Sequence, residues 1–267
     1  MILSGASPLG TSLAVAAALG YGLQAALATR LGPLTARKAL LAAWVLHAVV
    51  LCVGLFEAQP RFGFAPALSV TAWLVVAVYA IDPRLFPQLR ARQALAVVGA
   101  LAVVLALGFP GVPLHLSASA WLPLHWALGI ASYGLFAAAV VHAWIMMRAE
   151  RDIRKAAGAD SGMPLLTLER LTFRFAVAGF VLLSATLLAG LLFGEQLYGA
   201  GKSWRWDHKT VFSVLSWAAF AVLLVGRSRF GWRGRKAVRT LYVGSLLLLL
   251  AYVGSRFVFE VVLGRST

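Results

Sequence analysis

The chain is expected to fold as an all-α polytopic membrane bundle of about eight transmembrane helices with both termini outward. Three observations predict this. Of its 267 residues, 61% are hydrophobic and only 12% are charged, too few charges for a soluble surface of this size. Apolar runs near twenty residues recur along the sequence, the length a helix needs to cross a hydrocarbon core. The cations gather in the short stretches between those runs, as topology signals do. The net charge of +15 therefore reads as membrane topology, and nucleic acid is not an expected partner.

The spans follow in order from hydropathy and punctuation. Span 1 covers 9–29 and stops at Arg30 and Pro33, and span 2 covers 38–57, between Lys38 and Pro60. Span 3 runs over 65–81, before Pro83 and Pro87, and span 4 over 93–109, from Arg92 to Pro110 and Pro113. Span 5, 123–147, opens at Leu122-Pro123-Leu124-His125-Trp126 and closes at Arg148. The stretch from Arg148 to Arg170 is the one extended charged segment, and Pro164 interrupts it. Spans 6, 7 and 8 cover 171–194, 208–226 and 237–259, with Gly194, Gly199 and Gly201 allowing turns between the first two. Residues 1–267 form one transmembrane domain, with no basic leader segment of the secretory type at the N-terminus.

Orientation follows from the basic residues. Eighteen Lys and Arg fall between spans 1 and 2, 3 and 4, 5 and 6, and 7 and 8; six fall on the opposite side (Arg61, Lys202, Arg205, Lys209, Arg256 and Arg265). The richer side faces the cytoplasm. The simplest setting is a bacterial inner (cytoplasmic) membrane, with the loop before span 7 at the outer surface. The single cysteine, Cys52, lies within span 2. It excludes an internal disulfide and the C-x-x-C-H needed for covalent haem attachment, and reads as a small buried apolar residue.

Chemistry concentrates in Trp204-Arg205-Trp206-Asp207-His208-Lys209, where a polar loop enters span 7. Two indoles, an acid, an imidazole and cations at a membrane edge suit a large flat ligand with charged edges, and haem is the expected cofactor, held non-covalently as haem b. His125 opens span 5 and His208 opens span 7 at similar depth on the outward side. Two neutral imidazoles can ligate one iron from opposite faces. Trp204, Trp206 and Trp126, with Trp121, can stack on the macrocycle, or serve as interfacial belt residues. Lys202, Arg205 and Lys209 can meet propionates, or simply snorkel to the surface. Asp207 suits a helix N-cap under either reading. Histidine, too, is at home at an interface without a ligand.

Two further histidines, His47 and His142, fall inside spans, where an ionisable group is costly. Each reads better as a neutral histidine bonded to a neighbouring helix than as a deeper haem ligand or relay. His115 reads as solvated. Arg256 and Glu260, four residues apart, can pair on one helix face, or Arg256 can meet a propionate. No phosphate-binding glycine motif, catalytic carboxylate pair or hydrolase triad is visible, and the chain is not expected to be an enzyme.

Several motifs resemble a known family. Leu122-Pro123-Leu124-His125 followed by Ser132-Tyr133 resembles the L-P-x-H…S-Y segment of the CcsA/ResC-type cytochrome c assembly proteins. Trp204 to Lys209, with Trp217 beyond, resembles their W-x-W-D-P-K segment, and Gly231-Trp232-Arg233-Gly234-Arg235 their G-W-R-G-R loop. The resemblance covers roughly 120–255, and the Asp207-His208-Lys209-Thr210 stretch is similar to the short eight-span YpjD or HemX-like branch. It implies haem handling at the outer face, with His125 matching the first external histidine ligand. The family's second external histidine lies at or beyond the last helix, where this chain reads Gly254-Ser255-Arg256-Phe257, and its W-D-P proline is replaced by His208. Either His208 supplies the second ligand, or this branch binds haem differently or not at all.

The expected function is a haem-binding protein of c-type cytochrome biogenesis that presents haem to a partner. Its expected partners are membrane lipid, haem, and other cytochrome c assembly proteins or a haem-synthesis enzyme. The rival reading is a membrane regulator of haem synthesis that docks through the basic segments 148–170 and 227–239. Solute transport lacks internal repeats and broken charged spans. A b-type electron carrier would need histidine pairs at two depths.

Overall fold

The computed structural model describes residues 7–57, 61–81, 89–113, 121–154, 164–194 and 207–262. Among them, eight main helices follow in order: α1 (Pro8–Leu27), α2 (Pro33–Leu55), α3 (Phe64–Ile81), α4 (Leu89–Gly108), α5 (Trp121–Arg154), α6 (Leu165–Leu192), α7 (His208–Phe230) and α8 (Gly234–Leu249). A π-helical turn, Leu250–Gly254, continues α8, followed by Ser255–Phe257 and a second π-helical turn, Val258–Val262. Six of the described helices are long and apolar enough to cross a membrane: α1, α2, α5, α6, α7, and α8 extended to Phe257. The apolar parts of the other two, Phe64–Val78 and Arg92–Gly108, are shorter. The all-α polytopic class is as expected.

Helix ends are set by local chemistry. Ser7 caps α1 by accepting the Gly10 amide at 3.1 Å, with Pro8 at the first helical position, where its missing N–H costs nothing. Pro33 opens α2 in the same way. Gly231 closes α7 at φ +62°, a left-handed conformation glycine adopts without steric cost.

The chain packs as two compact units. The first comprises Met1–His115 with Arg256–Thr267, and the second Leu116–Ser255. In the first, α1 packs on α2 and α4, and α3 on both of these. A two-residue antiparallel ribbon joins Arg61–Phe62 to Val112–Pro113. Trp44 and Trp73 stack at 5.2 Å, and each indole N–H donates to the other's backbone carbonyl at 3.2 Å. His47 is fully buried between Ser69 Oγ, 2.9 Å from Nε2, and Tyr21 Oη, 3.4 Å from Nδ1. That satisfies a neutral imidazole inside the bundle by bonds to two other helices, as expected of a structural histidine. Cys52, expected to be buried, is exposed. An apolar residue on a membrane helix can face acyl chains, so apolarity does not imply burial.

The second unit packs α5 on α6, α7 on α8, α5 on α8 and α6 on α7. At its centre Phe136 of α5 and Phe220 of α7 stack with centroids 3.6 Å apart. Glycines on the flanking helices make the room. A Cβ at Gly179 would lie 3.1 Å from the Phe136 ring, and one at Gly244 2.8 Å from that of Phe220. His142 is fully buried, and its Nδ1 donates to the Ala138 carbonyl of its own helix at 2.8 Å.

Candidate functional site

One end of the second unit gathers the start of α5, the end of α6, the start of α7 and the last turns of α8. His125, half-buried in the first turns of α5, packs against α6: its Cε1 would lie 3.5 Å from a Cβ at Gly190, and the ring is hydrogen-bonded to the Thr186 backbone. Lys209, in the first turn of α7, is close enough for its charge to act on that ring. Its ammonium also lies 5.3 Å from the centroid of Tyr252, in the π-helical turn after α8.

Asp207 and His208 stand beside Lys209. Asp207 is the N-cap of α7, and its Oδ1 accepts the Thr210 amide at 2.8 Å. Partial burial pushes the Asp207 carboxyl up, but the bonds from Thr210 and the charges of Lys209 and His208 outweigh it and hold the group below the usual carboxylate range. His208 is the first residue of α7 and is exposed. Trp126 is half-buried one position beyond His125. Trp204, Arg205 and Trp206 lie outside the described residues, as do Lys202 and His115; so do the side chains of Trp121 and Glu260, and with the latter the expected Arg256–Glu260 pair.

The remaining motif residues build the frame. Tyr133 Oη donates to the Leu248 carbonyl, tying α5 to the last turn of α8, and Ser132 Oγ bonds the Gly129 carbonyl at 2.8 Å. Trp217 Nε1 donates to Ser184 Oγ at 2.9 Å, and its ring lies on Phe180, joining α6 to α7. The Gly231-Trp232-Arg233-Gly234 turn works at the opposite end. Trp232 packs so closely on Gly226 that a Cβ there would meet its ring at 2.4 Å, and Lys236 lies over the same indole at 3.9 Å.

Residues 34–263 match the family described as Cytochrome C assembly protein. The chain belongs to that family. Similar proteins include an uncharacterized 28.8 kDa protein of Azospirillum brasilense, 32% identical over 84% of this chain and 75% of its own length. The inner membrane protein YpjD of Escherichia coli K12 is 34% identical over 55% of this chain and 56% of its own. The cytochrome c biogenesis protein CcsA of Prochlorococcus marinus AS9601 is 34% identical over 34% of this chain and 28% of its own. The chain thus spans about half of YpjD and less of CcsA. No solved structure matches it. With six helices able to cross a membrane and an inner-membrane relative, this family member is a multi-pass protein of the bacterial inner membrane.

Haem is the group the family implies, and the residues at the α5–α7 end fit it. The donor set is right: an imidazole on each of two helices, with a cation beside one of them. The hydrogen bond that the His125 ring donates to the Thr186 backbone carbonyl also suits a ligating ring, because such a bond fixes the orientation and tautomer of a metal-bound imidazole. Sequence reasoning missed Thr186, Gly190 and Tyr252 as neighbours of the site. A threonine, a glycine and a tyrosine near the ends of apolar runs carry no signal beyond membrane-helix composition, and only packing brings them to His125 and Lys209.

Proposed function

We propose that this member of the cytochrome C assembly family holds haem b non-covalently at the outer face of the inner membrane and presents it for c-type cytochrome biogenesis. His125 and His208 are the proposed iron ligands. Trp204, Trp206 and Trp126 contact the macrocycle, and Arg205 and Lys209 pair with propionates. Asp207 holds the first turn of α7 in place, so that His208 and Lys209 keep a fixed direction. The observation that most supports this reading is that Lys209, next to His208 in the chain, lies 5.3 Å from the Tyr252 ring just after α8, while Tyr133 of α5 bonds the Leu248 carbonyl one turn before it, so α5 and α7 meet at the same end of α8.

Haem, when bound, would supply an iron, and the neutral imidazoles of His125 and His208 would hold it. The chain supplies orientation: the Thr186 backbone bonds the His125 ring, and the Asp207 cap sets the entry of α7. The Tyr133–Leu248 and Trp217–Ser184 bonds tie α5 to α8 and α6 to α7. The protein presents haem and leaves the making of covalent bonds to a partner. A clear route to this role is by kinship: the CcsA relative is a cytochrome c biogenesis protein.

The test is haem content after purification. His125→Ala and His208→Ala should each lower copurified haem by about tenfold or more, and should shift the absorption bands of what remains. Wild-type content and spectrum in both variants would remove the assignment.

A further inference from the structure

The other end of the second unit holds a cavity of about 670 Å³ that the haem reading does not use. It lies between the first turns of α6, the end of α7 and the turn into α8. Four guanidinium groups line it (Arg170, Arg174, Arg227 and Arg233) with a single carboxylate, Glu169. Glu169 Oε1 receives both Arg227, at 2.5 Å, and Arg233, at 3.5 Å. Arg227 also lies 4.6 Å over the Phe173 ring. This wall is therefore built without help from a ligand. Arg170 and Arg174 differ: among the described residues neither has a hydrogen-bond or ion-pair partner, and both are exposed.

Arg170 and Arg174 are four residues apart and so share one face of α6. The same face continues as Val177, Ala178 and Val181. Val177 and Val181 are 47% and 59% exposed, and Val177 and Ala178 line the same cavity. On a membrane-spanning helix, an exposed apolar stripe lies against acyl chains. A cationic pocket that opens onto such a stripe matches an amphiphile with an anionic head and an apolar tail.

We propose that this cavity binds the headgroup of an anionic phospholipid. Its phosphodiester sits between Arg170 and Arg174, and an acyl chain lies along Val177, Ala178 and Val181. Free phosphate shares the headgroup chemistry but has no use for the apolar half of the site. The site is separate from His125 and does not depend on haem binding.

The test is native mass spectrometry of the full chain, delipidated in detergent and titrated with dioleoylphosphatidylglycerol or, as the zwitterionic control, dioleoylphosphatidylethanolamine. Phosphatidylglycerol adducts should dominate. The double variant Arg170→Gln, Arg174→Gln should weaken them about tenfold or more through loss of two charge-assisted contacts. Both side chains are exposed and unpartnered among the described residues, so the fold should survive, as a monodisperse elution profile would verify. Ala178→Trp, which fills the apolar half, should also release the lipid, whereas Arg229→Gln, outside the cavity, should not. Equal retention by the double variant, equal binding of the zwitterionic lipid, or displacement of phosphatidylglycerol by inorganic phosphate alone would overturn the proposal.

Discussion

Asp207 is the side chain at the candidate site whose role is clearest. It caps α7 whether or not a ligand is present, and its carboxyl titrates below the usual range. A group with a depressed folded-state pKa contributes stability that is complete above its unfolded pKa and is lost as pH falls through the folded value. Asp207→Ala should therefore cost about 1 kcal/mol at neutral pH. In thermal unfolding of the detergent-solubilised protein, the gap from wild type should close as the acid range is entered. Asp207→Asn, which caps about as well, should keep most of the stability with less dependence on pH. His47 presents the contrary case of a histidine with structural partners alone. Removing it in His47→Leu leaves Ser69 and Tyr21 without the imidazole that now bonds both, at a cost of about 1–3 kcal/mol. Haem occupancy should stay at the wild-type level; a loss of haem with folding intact would make His47 part of a haem path.

Hydropathy located the eight helices, six of them long and apolar enough to span, but helices and spans need not share their ends, for a physical reason. Hydropathy reports where a bilayer can sit, whereas a helix continues until its backbone is capped. α5 runs on to Arg154 through the charged stretch beyond 147, with Arg154 bonded to Glu150 at 3.0 Å, and α6 begins at Leu165, not at 171. Those extra turns hold Glu169 and Arg170 and form one wall of the basic cavity, a feature that hydropathy does not mark. The Phe136–Phe220 stack was not legible either, because each phenylalanine lies in an apolar run with nothing to mark its partner. The glycines opposite them show how tightly these helices depend on one another. Gly244→Leu drives a branched side chain into the Phe220 ring, where a Cβ alone would come within 2.8 Å. It should destabilise the second unit by about 1–3 kcal/mol or more, seen as a lower unfolding temperature and less folded protein after extraction, whereas Gly22→Leu, where a Cβ would meet nothing within 4 Å, should not.

Taken across the chain, membrane class, family and inner-membrane setting could all be read from composition and motifs, because each depends on residue types and spacing. The local surroundings of the histidines could not. That His47 is held by Tyr21 and Ser69, that His142 bonds its own helix, and that His125 lies by Thr186, Gly190 and Lys209 are facts of helix packing. They separate His125, to which a ligand role is proposed, from His47, whose two ring nitrogens both have partners within the fold. The proposed haem site therefore turns on His125 and His208. Electron paramagnetic resonance of the oxidised, haem-loaded protein tests it most directly, with wild type compared with His125→Ala and His208→Ala. Two imidazoles on one ferric iron predict a low-spin signal in the wild type that turns high-spin in either variant. An unchanged low-spin signal in both variants would contradict the shared-iron site.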